Sequence, residues 1–162
     1  MTKLNSILVA SVLILVIVIL FSYAYLNRER IPIDVYITKA EAKAPFNHIS
    51  EEQINVFTDR AVILIDEPKW ARFAGTKSMV PVLDEDTNAI QIVPIDIEQI
   101  HAGDIVSYNS NYANKRIIHR IIKISEDENG WYAIIKGDNN LMPDPGRIRF
   151  NQIQRVTVGI LY

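Results

Sequence analysis

The chain has 162 residues, 49% of them hydrophobic and 22% charged, with a formal net charge of −2. That is enough for one domain with a sizeable core and cramped for two. There is no cysteine, which excludes disulfides, thiolate catalysis and thiolate-bound zinc or iron–sulfur centres.

The apolar residues are unevenly spread. From Leu4 to Asn27 no residue is charged, and from Ile7 to Phe21 only Ser11 interrupts an apolar run. A membrane-crossing helix needs roughly 20 such residues, whereas the apolar core of a cleavable signal peptide has about 7–15. Residues 1–27 therefore read as a transmembrane signal anchor, with Ser22-Tyr23-Ala24 as the small-x-small site that the cleavable alternative would use. Orientation by charge count favours a cytoplasmic domain, because Arg28, Arg30, Lys39 and Lys43 follow the segment while only Lys3 precedes it. Beyond residue 27, 16 of the 17 Lys/Arg face all 19 Asp/Glu. This slightly acidic balance speaks against nucleic acid as a partner, which needs a basic face.

Residues 28–60 read as a connector. It carries the alternating stretch Ile33-Asp34-Val35-Tyr36-Ile37, a polar patch around Pro45, and one short helix that Ser50 caps, with Gln53 completing a capping box. From residue 61 on, the apolar runs are short and β-branched: Ala61–Ile65, Ala89–Ile95, Asp104–Tyr108, Arg116–Ile124, Trp131–Lys136 and Val156–Tyr162. Each is bounded by Gly, Pro, Asn or Asp, and long helical periodicity is absent. The expected fold is mainly β: one N-terminal transmembrane helix, then a compact, mostly antiparallel domain over residues 61–162. Glu126-Asp127-Glu128-Asn129-Gly130 reads as a hairpin with Asn-Gly at its tip.

Taken singly, the residues that could carry chemistry are ordinary. On a strand His119 shares a face with Ile117 and Ile121, where a hydrogen-bonded core histidine would also fit. His48 and His101 fall in loop-like segments and are expected in solvent. Three scattered histidines have no metal-ligand spacing, so neither a zinc site nor any other cofactor is expected. Asp138 and Asp144 flank a Pro/Asn-rich turn, where an aspartate commonly accepts backbone amides. Asp84-Glu85-Asp86 reads as a solvated loop, and no phosphate-binding glycine loop exists.

Taken in order, the same residues form a series. Ser78-Met79-Val80-Pro81 is followed by Gly103-Asp104-Ile105-Val106, then Ile118-His119-Arg120, then Lys136-Gly137-Asp138-Asn139-Asn140, with Asp144 six residues past Asp138. In these boxes the sequence resembles type I signal peptidases, specifically the archaeal and endoplasmic-reticulum branch. That family's boxes are Ser-Met-x-Pro, Gly-Asp-apolar-apolar, His-Arg, and Gly-Asp-Asn-Asn followed by an aspartate. The resemblance covers about residues 73–162 plus the anchor, and residues 31–72 lie outside it. Bacterial relatives place a lysine where His119 stands, so the resemblance implies a Ser/His/Asp arrangement.

It implies Ser78 as nucleophile, His119 as base, Asp144 as the carboxylate that orients the imidazole, and Asp138 as a brace for the loop that carries Asp144. Thr76 and Met79 are implied as oxyanion and substrate-binding residues, Thr76 standing where relatives often have a serine. Lys77 replaces the glycine common there and is expected to demand an ordinary backbone conformation. The implied activity is a membrane-anchored serine endopeptidase that removes signal peptides from secreted preproteins, with the bilayer as its setting and the catalytic domain on the extracytoplasmic side, against the charge count. Whether it needs accessory subunits is left open. Two other readings stand beside it: a catalytically idle, membrane-anchored β module of the same fold that binds peptides or partner proteins, and a self-cleaving regulator on a related β fold. Against the regulator stand the anchor and the lack of a helix-turn-helix segment.

Overall fold

The computed structural model describes residues 3–26 and 43–162, and within the first stretch the side chains of residues 12–23. The alternating stretch at residues 33–37 lies outside the described residues. The chain divides into two compact units, residues 1–33 and 34–162. The first holds helix α1, Lys3–Leu26. Among the described residues, no helix is long and apolar enough to cross a membrane.

The second unit is mainly antiparallel β. Strands β1 (Ile54–Val56) and β2 (Ala61–Ile63) pair as a small hairpin. The expected connector helix is one 3₁₀ turn, Glu51–Gln53, where the Gln53 carboxamide accepts the Ser50 amide at 3.0 Å. The other strands are β3 (Lys69–Arg72), β4 (Asn88–Ile92), β5 (Ile105–Ser110), β6 (Lys115–Asp127), β7 (Gly130–Lys136) and β8 (Ile153–Leu161). They form one sheet in the order β3-β4-β8-β5-β6-β7. Strands β1 and β3 are additional to the expected runs. Both are short, and β3 (Lys-Trp-Ala-Arg) has only two apolar residues in four, which gives no alternation to read.

Alternation of side chains places apolar residues on both faces of the sheet. One face carries the larger core, in which Val106, Tyr108, Ile121, Ala133, Ile135 and Val156 are wholly buried. The other face carries a smaller cluster of Met79, Leu83 and Ile105. Gln91 is buried between strands because its amide donates to Ser107 at 2.9 Å and to Thr157 at 3.1 Å, which meets the requirement that buried polar groups be paired.

The β6–β7 hairpin closes differently from expectation. Asp127 pairs directly with Gly130, so Glu128-Asn129 is the loop and Gly130, at φ 91°, opens the return strand. The Asp127 carboxylate accepts the Asn129 amide at 2.9 Å and fixes the turn from its first corner. The same carboxylate takes Arg149 and Arg147, tying the hairpin to the segment before β8.

Gly103 is fixed by a close approach. It adopts φ 111°, and a Cβ there would lie 2.2 Å from the Ala44 carbonyl oxygen. The incoming chain at residues 43–48 is thereby laid against the turn before β5.

Candidate active site

His119 stands on β6 opposite Val106 of β5. It is 5% exposed, at the margin of the larger core. Its Nδ1 lies 2.5 Å from Asp144 Oδ2, and its Nε2 lies 3.0 Å from Ser78 Oγ. With the proton on Nδ1, the ring donates to Asp144 and accepts from the Ser78 hydroxyl. The structure therefore brings Ser78, His119 and Asp144 into one hydrogen-bonded line.

Asp144 is held from two further sides. Its amide donates to the Ile135 carbonyl at 2.8 Å, and its Oδ2 also accepts the Tyr108 hydroxyl at 2.8 Å. Burial pushes the Tyr108 phenol well above its ordinary range, and the Asp144 charge adds to this, so Tyr108 stays a donor. Sequence reading missed Tyr108. The available signal was a tyrosine on a buried strand face, whose hydroxyl must find a partner there.

Asp138 has a different partner. Its two carboxylate oxygens accept Arg120 Nε at 2.8 Å and Nη2 at 2.7 Å. Arg120 also donates to the carbonyls of Gly103 at 2.9 Å and Lys43 at 3.3 Å. The expectation that Asp138 accepts backbone amides of the following turn is corrected: a buried bidentate pair, geometrically stronger, takes the carboxylate. The His-Arg box thus holds two functions in adjacent residues. On a strand they point to opposite faces.

The turn that carries Ser78 is held by the Gly-Asp-Asn-Asn loop. The Asn139 amide donates to the Ser78 carbonyl at 2.9 Å, and its carboxamide donates to the Lys77 carbonyl at 3.0 Å. Gly137 has no room for a side chain, since a Cβ would sit 2.6 Å from the Ser78 carbonyl oxygen and 2.7 Å from Asn140 Nδ2. Lys136 Nζ closes the loop by donating to the Asn140 carbonyl at 2.6 Å. Lys77 adopts φ 59°, which corrects the expected ordinary conformation. The turn keeps the left-handed geometry that a glycine takes freely, and the lysine bears a cost of roughly 1–2 kcal/mol.

Thr76 is exposed, with its hydroxyl 3.2 Å from Ser78 Oγ. Met79 points the other way and corrects the expectation that it lines the substrate. It is 3% exposed, packs with Leu83 and Ile105, and its sulfur accepts the Asp138 amide. The turn over residues 78–82, in which the Val82 and Leu83 amides donate to the Met79 carbonyl, carries its side chain inward.

Ser78, Thr76 and His119 open into a groove of about 570 Å³. One wall is β3, an edge strand; the other is Lys115–His119 of β6. Strand β7 pairs with β6 only from Arg120 onward, so among the described residues no strand covers the edge at residues 115–119. Both walls therefore offer unpaired backbone groups to an extended peptide. Arg72, Lys115, Arg116 and Arg155 line the groove, and among the described residues no acidic side chain does.

His48, expected in solvent, is instead buried against Asp104, whereas His101 keeps a side chain 37% exposed with its Nδ1 3.8 Å from the same carboxylate. The Asp104 side chain is fully buried, and His48 is 7% exposed with its Nε2 3.1 Å from Asp104 Oδ2. Burial works to raise the Asp104 pKa but is outweighed by hydrogen bonds from His48 and the amides of His101 and Phe46, which hold it below its ordinary value. Asp104 is the aspartate of the Gly-Asp box, and its place is structural, away from Ser78.

Over 49 residues, 30% of this chain and 27% of the relative, the sequence is 41% identical to the signal peptidase complex catalytic subunit of Plasmodium falciparum. Over 45 residues, 27% of this chain and 22% of the relative, it is 53% identical to an uncharacterized protein of Methanocaldococcus jannaschii. The matched stretches span about a quarter of each relative's length. No family model and no solved structure matches the chain. The similarity is thus a partial one, to a signal peptidase catalytic subunit.

Proposed function

We propose that this chain is a membrane-anchored serine endopeptidase that cleaves signal peptides from secreted preproteins. The observation that carries the reading is the line from Ser78 Oγ through the His119 ring to Asp144 at 3.0 and 2.5 Å, opening into a groove with two free strand edges. The partial similarity to a signal peptidase catalytic subunit supports the substrate class.

In this mechanism the Ser78 hydroxyl attacks the scissile carbonyl while His119 Nε2 takes its proton. Asp144 holds the proton on Nδ1 and stabilises the imidazolium that forms. The oxyanion of the tetrahedral intermediate is met by the Ser78 amide and the Thr76 hydroxyl. His119 then returns the proton to the departing amine, leaving an acyl-Ser78 that water cleaves by the same route. The substrate lies extended between β3 and residues 115–119, so alternate side chains face the enzyme, and small ones fit.

The uncharged run from Leu4 to Asn27 supports the anchor, as its length suits a hydrocarbon core. Anchoring would keep the site near emerging precursors and raise their effective concentration. The domain faces the extracytoplasmic side in this reading. External protease should then degrade residues 31–162 in sealed right-side-out vesicles; full protection would reverse the orientation.

The peptidase reading is tested by trapping. A slowly deacylating ester, quenched with acid, should leave an acyl group on the peptide containing Ser78, detected by mass spectrometry. No acylation of the wild type, with peptides still bound, would favour the idle binding module.

A further inference from the structure

We propose that His48, His101 and Asp104 form a binding site for one borderline divalent cation of the zinc class, clipping the incoming chain to the turn before β5. His48 Nε2, His101 Nδ1 and an Asp104 oxygen all lie within 4.8 Å of one another. The two separations to Asp104 Oδ2 are 3.1 Å from His48 and 3.8 Å from His101. Metal–ligand bonds of about 2.1 Å in tetrahedral geometry put donor atoms roughly 3.4 Å apart. The two edges to Asp104 bracket that spacing, and the edge between the imidazoles is within 4.8 Å, so side-chain adjustment alone completes three corners.

Two independent features point to a ligand there. His101 Nδ1 is the one buried side-chain nitrogen or oxygen among the described residues with no hydrogen-bond partner. A buried nitrogen left unpaired costs free energy that a cation in front of it would recover. The carboxylate, in turn, is already oriented. Its Oδ1 accepts the Phe46 amide and its Oδ2 the His101 amide, each at 2.9 Å. Fixed outer partners of this kind hold a ligating carboxylate in place. One lone pair of Oδ2 remains, which His48 occupies and a cation could take, with His48 Nε2 turning from donor to ligand.

The rings are fixed too. Phe46 stacks on His101 with centroids 3.9 Å apart at 11°, and meets His48 edge-on at 5.2 Å. Two imidazoles and one carboxylate suit zinc and its neighbours, and not the hard cations calcium and magnesium, which take oxygen sets. The fourth position is left to water. The role is structural: His48 lies 56 residues before Asp104 in sequence, so the ion would close a long loop and fasten residues 43–48. Arg120 binds the Lys43 and Gly103 carbonyls of the same junction.

The test uses the full, untagged, detergent-solubilised chain, stripped with chelator and titrated with Zn²⁺ against a chromophoric competitor. It does not depend on peptidase activity. One equivalent should bind with micromolar or tighter affinity and raise the melting temperature. His48→Ala and His101→Ala should each weaken binding by at least about 10–100-fold, the loss that even an outer-shell partner causes; His119→Ala should leave it unchanged. Zinc X-ray absorption on the wild type, which needs no variant, should show two imidazoles on the bound ion. Binding no tighter in the wild type than in the His48→Ala/His101→Ala double variant would overturn the site. So would loss of binding in His119→Ala, or scattering without two imidazoles.

Discussion

The two aspartates of the Gly-Asp-Asn-Asn region are separable by a pair of amide substitutions. Asp144→Asn keeps an oxygen that can accept the Tyr108 hydroxyl and leaves the backbone bond to Ile135 untouched. It removes the charge that stabilises the His119 imidazolium. Tyr108 and His119 share that one oxygen, so the alternative amide orientation, with nitrogen in its place, would reverse the tautomer only by depriving Tyr108 of its acceptor. Loss of this function from a Ser/His/Asp arrangement costs about 10³–10⁴ in turnover, roughly 4–5 kcal/mol at 1.36 kcal/mol per factor of ten. The melting temperature should stay close to that of the wild type. Asp138→Asn acts on stability. It strips the counter-charge from Arg120, whose side chain is 6% exposed against 11% for Asp138. Breaking a buried pair by removing one partner costs about 3–5 kcal/mol. Arg120 keeps its two carbonyl acceptors, which places this site near the lower figure and the melting temperature roughly 10 °C down. Turnover per folded molecule should fall far less. The assay is preprotein cleavage by gel shift alongside thermal unfolding by circular dichroism. A stable but inactive Asp138→Asn beside an active Asp144→Asn would refute the assignment.

Three further outcomes follow from the geometry. Tyr108→Phe removes one of the donors to Asp144 Oδ2 and leaves that carboxylate to His119 alone; kcat should fall several-fold, KM should hold, and the pH profile of kcat should shift, which a purely structural residue would not produce. Gly137→Ala drives a Cβ against the Ser78 carbonyl oxygen, so cleavage should drop by more than about tenfold in a chain whose circular dichroism still shows the sheet; wild-type turnover would show that the loop does not position Ser78. Asp127 is held below the usual carboxylate range first by Arg149, against burial, with the Asn129 amide and Arg147 adding. Its stabilising contribution is therefore complete above its unfolded pKa of about 3.9 and lost as pH falls below that. Melting temperatures of wild type and Asp127→Asn should differ at pH 7 and converge in acid; a constant difference would count against the ion-pair origin.

The β-branched runs of β5 to β8 are legible because each is a short apolar stretch buried over consecutive positions and bounded by turn residues. Strands β1 and β3 are not: each is too short to show a period, and β1 is exposed throughout. Ser78, His119 and Asp144 are legible through the ordered boxes in which they stand, since none is distinctive alone. Arg120 with Asp138, and His48 with Asp104, are brought together only by the packing of distant segments, 18 and 56 residues apart. No local pattern announces such pairs. The positive φ of Lys77 is not legible because a residue's preference against it is weak beside the two hydrogen bonds that Asn139, from a distant loop, makes to that turn.

The most direct measurement of the central claim is incubation of a purified preprotein with the detergent-solubilised chain, with Ser78→Ala in parallel and the products weighed by mass spectrometry. The account predicts one cut, after a small-x-small sequence at the end of the signal peptide, present with the wild type and absent with Ser78→Ala. An intact preprotein with the wild type, or the same cut with Ser78→Ala, would contradict it.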